Sequence, residues 1–512
     1  MKTQVLIIGG GVTGTGLARD LALRGIPCVL VEQRDIDAGA SGGNHGLLHS
    51  GGRYVASDAE AARECRDEGN LLKRLAPHCI EETQGLFVAV PGDDETYIAD
   101  FPDLCTKSGI PAEPVDPNTA LEWEPALSPN LIAAYAVEDA SVDPFKLALD
   151  NIADACRLGA VFLPHTQAVS FESEKKRVRS VRLRNRLTGE TLRVEADQVV
   201  NAAGAWAGRV AHRAGLHLNV VCSKGTLLIT QSRITRRVIN RLRKPGDGDI
   251  LVPGGTVSIL GTTSVRVDTP EGCRPTVPEV DRIIEEGAAM VPVLADTRYI
   301  RAYAGVRPLI GSSGGDDRKV SRGFALLDHS AEGLENFITI AGGKLTTYRL
   351  MAEKTADLVC KKLQVSKPCR TRTEPLPPSD TGRWTQPGLA PREWLRSGRS
   401  DDLLLCECEM VSRDVVDRII QSLQDQGGQP TLRSVGLRSR IGKGPCQGGF
   451  CSARIAAYMY DIGAVTGHSG LKGLRDFLRE RWRGKRPVLW DLPMEQAELQ
   501  EALHCGLFGL EQ

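Results

Sequence analysis

The chain of 512 residues carries 64 Lys plus Arg against 64 Asp plus Glu, a formal net charge of +0, with 41% hydrophobic and 25% charged residues. That balance excludes the electrostatic footprint of a nucleic-acid or other polyanion binder, and the length predicts a large core shared by roughly two to four domains. No run of about eighteen apolar residues could span a bilayer, and the N-terminus enters a strand directly rather than a signal peptide, so we expect an intracellular chain, soluble or at most peripheral to a membrane.

The first predicted element is a buried parallel strand, Val5, Leu6, Ile7 and Ile8, followed by a glycine turn and an apolar helical face from Leu17 to Leu23 that ends at Gly25. Gly9, Gly11 and Gly14 make this G-x-G-x-x-G in strand–turn–helix context. They let the backbone approach a pyrophosphate at the helix N-terminus, where unpaired N–H groups and the helix dipole favour an anion. A second strand from Cys28 ends at Glu32, which can bind a ribose hydroxyl. Together these specify a dinucleotide without choosing between FAD and NAD.

Residues 38–54 hold many glycines and small polar residues together with His45, His49, Arg53 and Tyr54, which suits a loop wrapped round a ligand better than a core segment. From Asp58 to Leu75 the pattern is an amphipathic helix with a solvated charged face. Residues 86–90 form a strand, and proline-rich connections follow. A helix runs from Asp143-Pro144 to about Leu158, then a strand at 161–163, then two strands between Val178 and Val194 joined at Thr188-Gly189. From Gln198 to Ala207 the chain returns to a buried strand ending in small residues, and Ala203-Gly204 can lie against the first cofactor site.

From Ala211 to Ser330, β-branched residues and glycine turns predict an antiparallel sheet, with a helix from about Pro278 to Met290. It delivers Arg307 and Arg322 among apolar strand residues; because an unpaired buried charge is costly, they should face a cavity or an anionic partner. A third buried strand then meets the Gly342-Gly343 turn and a helix start at Lys344, Leu345 and Thr346, an anion site suited to the charge on a reduced flavin.

These stretches resemble the FAD-dependent glycerol-3-phosphate dehydrogenases of the D-amino-acid-oxidase-like flavoprotein group, most closely the A subunits of the anaerobic branch. The shared segments are 9–16, 44–54, 142–145, 199–206, 250–263, 302–309, 320–329 and 342–353. The resemblance implies an α/β fold in which a Rossmann-like FAD-binding domain (about 1–85, 145–210 and 331–365) is interrupted by an antiparallel-sheet substrate domain (about 86–144 and 211–330). Gly9, Gly11, Gly14 and Glu32 would hold the ADP half of FAD, with Ser41, His45, Ala203, Gly204, Gly343, Leu345 and Thr346 on the rest. The substrate, sn-glycerol 3-phosphate, carries a phosphate dianion and a secondary alcohol, so its pocket needs cations and a base. Arg53 and Arg322 are assigned to the phosphate, because a guanidinium fork matches its oxygens, with Tyr54 orienting the substrate. Arg307 and Lys344 are assigned to the reacting hydroxyl, and His49 is the candidate base.

Residues 366–400 read as a linker or a loosely draped segment. Beyond it, Cys406, Cys408, Cys446 and Cys451 stand apart from the other ten of the 14 cysteines, which read as reduced core or surface thiols. Two close pairs flanking a helix from Asp414 to Leu423, with Gly442, Gly444, Gly448 and Gly449 allowing tight turns, can gather four thiolates on zinc or an iron–sulfur cluster. The C-x-C and C-x4-C spacings resemble the [2Fe–2S] domain of bacterioferritin-associated ferredoxins. A [2Fe–2S] domain is therefore expected over 401–460, followed by a helical tail over 461–512 with a basic stretch between Gly470 and Trp490. By resemblance, electrons would leave through B and C subunits to menaquinone, with the chain peripheral on the cytoplasmic face of the cell membrane. Two other readings stay open: a flavin-dependent amine or 2-hydroxy-acid dehydrogenase, and a non-catalytic flavin and iron–sulfur electron-transfer module.

Overall fold

β1 (Lys2–Ile8) is buried over its last four residues, as a β-branched run covered on both faces should be. In the computed structural model, which describes residues 1–310, 323–379, 396, 401–425 and 428–510, it leads into α1 (Val12–Leu23) and then β2 (Cys28–Val31), parallel to β1 with Ile7 opposite Leu30. The chain then leaves this layer. β3 (Leu47–Leu48), β4 (Ile80–Glu81) and β8 (Ala140–Val142) form a small sheet, and α2 (Ala59–Leu75) lies between β3 and β4, capped by Asp58. One charge of α2 is not on the solvated face expected for it. Glu68 is buried, and Arg349 donates to it through Nε at 2.8 Å and Nη2 at 2.6 Å.

β5 (Gly85–Ala89), β6 (Ala112–Val115) and β7 (Ala133–Val137) start the second sheet. The connections are not merely proline-rich. They contain α3 (Glu95–Ser108), capped by Asp94, and α4 (Pro117–Trp123), capped by Asp116. Phe101 of α3 is fully buried against Phe87, so tertiary packing overrides the helix-breaking signal of Pro102.

α5 (Pro144–Arg157), capped by Asp143, returns the chain to the first layer through β9 (Val161–Leu163). β10 (Thr166–Glu174) and β11 (Arg177–Asn185) precede β12 (Thr191–Asn201), an unbroken strand of 11 residues where the sequence suggested two. Its first part pairs with β11, and its last part runs parallel to β1, with Ile7 opposite Val200. After α6 (Ala207–Arg213), the strands β13 (Val220–Thr230), β14 (Val238–Arg241), β15 (Ile250–Gly254), β16 (Val257–Gly261) and β17 (Val265–Val267) extend the second sheet. α7 (Val277–Met290) follows, begun by a capping box between Thr276 and Glu279, and then β18 (Tyr299–Ile310), which pairs along the whole of β13. β19 (Phe324–Asp328) is antiparallel to β20 (Phe337–Gly342) in the first sheet, so the chain regains that layer by residue 324, ahead of the boundary expected near 331. α8 (Tyr348–Leu363) then packs on α1, where a Cβ on Gly16 would lie 2.8 Å from the Tyr348 ring.

Residues 366–379 are a fixed strap rather than a loose linker. Arg19 Nη2 donates to the carbonyls of Glu374 and Pro375, Thr371 donates to Asp20, Ser379 donates to Asp150, and Leu376 is buried. The rest of the expected linker, 380–395 and 397–400, lies outside the described residues. The C-terminal unit contains β21 (Leu404–Cys406), β22 (Val411–Ser412), α9 (Arg413–Asp425), α10 (Leu432–Leu437), α11 (Cys451–Asp461), α12 (His468–Lys485) and α13 (Asp491–Phe508). Leu474, Phe477, Leu478 and Trp482 of α12 share one core with Leu405, Val416, Ile419, Ile455 and Met459. The tail from residue 461 therefore belongs to the same unit as the cysteines. Arg438 fastens this unit to the first layer by donating to both oxygens of Asp35, at 2.8 and 3.0 Å. No helix among the described residues is long and apolar enough to cross a membrane.

Candidate functional site

The ends of β1, β2 and β12 face the second sheet across a cleft of about 390 Å³. At one end, Gly9 has φ +121 and a Cβ there would collide with the Ala202 carbonyl at the end of β12, while a Cβ on Gly14 would collide with the Gly9 carbonyl. Turn, helix and crossing strand thus meet backbone to backbone, which only glycine permits. Gly14 is buried and does not line the cleft; Gly9, Gly11, Ala203 and Gly204 do. Ser41 Oγ accepts from Val12 N at 3.0 Å, and Glu32 accepts from Gly10 N and Arg34 N, each at 2.8 Å. Both side chains therefore hold the turn as well as lining the cleft. Burial raises the Glu32 carboxyl above its ordinary pKa, against the pull of those two N–H donors. Arg34, whose Nε is buried without a partner among the described residues, lies 4.8 Å from the Trp206 ring centre.

At the other end the structure brings together His49, Arg53, Tyr54, Arg307 and Lys344. His49 Nε2 is 3.4 Å from the Tyr54 hydroxyl, and the Lys344 ammonium sits 4.8 Å from the Tyr54 ring centre. Arg307 of β18 donates through Nη2 to the Thr263 carbonyl at 2.8 Å and to the Thr262 hydroxyl. His45 also lines the cleft. Burial lowers its pKa to about 3, with the charges of Arg307 and Arg53 adding to the effect, so it is neutral at physiological pH. Gly343 and Leu345 line the cleft, whereas Thr346 is fully buried and accepts from His49 N at 3.2 Å, holding the histidine loop. Arg322 lies outside the described residues.

Sequence reasoning missed Asp249, which is fully buried and accepts from Arg53 Nη2 at 3.1 Å and from Arg243 Nη2 at 2.7 Å. It also missed Arg34 and Trp206 as cleft residues. An acid directly before the apolar strand β15 was the available signal for Asp249, since a charge there needs a buried partner.

The four C-terminal cysteines converge. Cys408 Sγ lies 3.8 Å from Cys406 Sγ and 3.6 Å from Cys446 Sγ, and the Cys451 thiol is close enough to Cys406 and Cys446 to perturb the ionisation of both. The N–H groups of Gly448 and Phe450 donate to Cys446 sulfur, and that of Glu409 to Cys406. Two thiolates at about 2.3 Å from one tetrahedral metal stand about 3.8 Å apart, so the spacing suits a thiolate-bound metal centre. A second group, His78, Cys79 and Asp150, does not suit one, because the Lys146 ammonium is already 3.0 Å from Asp150 and Ser379 donates to the same carboxylate.

Comparison with known proteins gives concordant results. The profile of the FAD dependent oxidoreductase family matches residues 4–358. The A subunit of the anaerobic glycerol-3-phosphate dehydrogenase of Escherichia coli (strain K12) is 45% identical over 535 aligned positions, covering 100% of this chain and 98% of that protein. The A1 subunit of the corresponding Haloferax volcanii enzyme is 40% identical, covering 99% and 91%. Among solved structures, the glycerol-3-phosphate dehydrogenase from Bacillus halodurans complexed with FAD superposes with a TM-score of 0.67 at 24% identity, covering 96% of each chain, which is a likeness of fold.

Proposed function

The chain belongs to the FAD dependent oxidoreductase family, and from that membership we propose that it oxidises sn-glycerol 3-phosphate to dihydroxyacetone phosphate by hydride transfer to FAD. Cys406, Cys408, Cys446 and Cys451 would hold a [2Fe–2S] cluster, which would supply one-electron transfer toward partner proteins. One observation carries this reading: a single cleft joins the glycine turn at Gly9 to a pocket holding Arg53, Arg307, Lys344, His49 and Tyr54. The residues fit the cofactor. Arg34 Nε is buried without a partner among the described residues, and Gly342 and Gly343, at φ +84 and +72, form a turn whose backbone can approach a ring edge closely. When bound, FAD supplies the hydride acceptor.

The chain's own residues do the rest. Gly9, Gly11 and the first turn of α1 take the pyrophosphate, and Glu32 takes the ribose. Arg53 takes a phosphate oxygen of the substrate, and Arg322 is assigned with it. Arg307, anchored by the Thr263 carbonyl, and Lys344 orient and polarise the hydroxyl. His49 Nε2 accepts the hydroxyl proton, with Tyr54 at 3.4 Å steadying the ring; such contacts tighten when substrate binds. The four cysteines fit the cluster in spacing and in their N–H···S contacts, and their C-x-C and C-x4-C pattern favours [2Fe–2S] over zinc.

The relatives are named as A subunits, which supports a complex of several different chains. We assign B and C subunits and menaquinone as the onward path, with this chain peripheral on the cytoplasmic face of the membrane. Anaerobic titration of the FAD-loaded protein with sn-glycerol 3-phosphate tests the catalytic reading. Stoichiometric bleaching of the flavin is expected, and an unbleached flavin would overturn it.

A further inference from the structure

α13 is an 18-residue helix with no buried residue. Its inner side packs Cys505 and Phe508 against the C-terminal core, stacks the His504 ring on Trp482, and adds two polar contacts: Gln500 accepts from Lys485, and Arg486 pairs with Glu501 at 3.1 Å. Its outer side carries Leu492, Leu499, Leu503 and Leu507 in one stripe at helical spacing, each between 54% and 75% exposed. Trp490, just before the helix, is also exposed. A stripe of this kind, on the face opposite the one that packs on the core, marks an interaction surface rather than scattered surface leucines.

The stripe adjoins the cysteine ring. Gly449 lies between Cys446 and Cys451, and a Cβ on it would sit 2.8 Å from the Gln500 amide nitrogen, in the middle of the helix. The next residue, Phe450, donates its N–H to Cys446 sulfur while its side chain is 69% exposed. The exposed Phe450 side chain thus stands at the edge of the proposed cluster, on the loop that meets the helix carrying the leucine stripe.

We propose that Phe450 and the leucine stripe of α13 form the docking face for an electron-accepting partner protein, one that presents an apolar groove with a basic rim. This rests on the reading of the cysteines as a redox cluster and on the naming of the relatives as A subunits. The basic rim follows from charge: besides Glu501, which is paired with Arg486, α13 carries Asp491, Glu495 and Glu498 and no Lys or Arg, which suits a cationic protein edge and opposes an anionic lipid surface.

The test uses the full FAD-loaded chain co-expressed with the B and C subunits from its source organism. The unaltered chain should co-elute with them, and the double variant Leu499→Glu/Leu503→Glu should bind at least about tenfold more weakly. That variant should bleach its flavin with sn-glycerol 3-phosphate and reduce a soluble dye as the unaltered chain does, which shows that it is folded. Leu187→Glu, at the exposed turn between β11 and β12, should leave co-elution intact. Retained co-elution of the double variant, or an unaltered chain that never co-elutes, would overturn the proposal. So would a variant that loses only self-association, or only pelleting with phosphatidylglycerol vesicles. Bleaching reads the catalytic reading separately, so docking can fail while catalysis stands, and the reverse.

Discussion

Arg53 is clamped by Asp249. Its Nη2 lies 3.1 Å from Asp249 Oδ2, the other carboxylate oxygen is held by Arg243 Nε at 3.0 Å, and Arg53 Nη1 is buried with no partner among the described residues. A wholly buried acid between two guanidinium groups fixes the direction of both. Asp249→Asn removes the charge while keeping the shape, so Arg53 should lose its fixed aim. Steady-state kinetics with a soluble dye should show KM for sn-glycerol 3-phosphate rising about tenfold or more, equivalent to about 1.4 kcal/mol, with a smaller change in kcat. An unchanged KM would remove Asp249 from any positioning role.

The glycine turn makes a graded prediction. A Cβ at position 14 meets a backbone carbonyl, which no rotamer change can relieve, whereas one at position 11 meets the Ser41 hydroxyl at 2.9 Å, the end of a side chain that can turn away. Gly14→Ala should purify with FAD content reduced at least about tenfold, and Gly11→Ala should lose less. Equal flavin occupancy in the two variants would contradict this account of the turn.

The first layer was legible because β1, α1 and β2 each state their role locally: a β-branched run, three glycines at fixed spacing, an acid at the strand end. The cysteine ring was legible for the same reason. Less visible were features set by distant partners. Glu68 looks like any solvated helix charge until Arg349, far along the chain, is packed against it. Thr346 looks like a cofactor contact, yet its hydroxyl is spent on His49 N. α3 hides behind Pro102, because the packing of Phe101 on Phe87 that helps to hold it joins two separate elements and leaves no local pattern. The strap over 366–379 has a linker's composition but hydrogen bonds to Arg19, Asp20 and Asp150 that no local pattern announces.

Asp37 provides a pH test. It is buried, neither carboxylate oxygen has a partner among the described residues, and burial first, then the nearby charges of Asp143 and Glu32, pushes its pKa well above the usual value. The folded protein therefore keeps a proton there at pH values where the unfolded chain has released it. The stability this contributes is present at low pH and lost as pH rises through the folded-state pKa. Asp37→Asn cannot ionise, so it should gain in Tm relative to the unaltered protein between about pH 5 and about pH 8. A Tm difference that does not change with pH would refute the raised pKa.

The last prediction concerns Cys408, which stands between Cys406 at 3.8 Å and Cys446 at 3.6 Å and is less buried than Cys406 or Cys451. The last two form part of the C-terminal apolar core, so replacing either would disturb packing as well as ligation. Cys408 is only partly buried against that core, so Cys408→Ser tests the ligand role with less disturbance of packing. A serine hydroxyl stays protonated at neutral pH and is a poor substitute for a thiolate. Protein purified anaerobically should contain iron and acid-labile sulfide in equal amounts, and Cys408→Ser should lose most of both. Because the flavin cleft is built from other elements, the variant should still bleach fully with sn-glycerol 3-phosphate while failing to pass electrons to its partner proteins. Zinc in place of iron, or full electron delivery by the variant, would show that electrons leave the flavin by a route other than these cysteines.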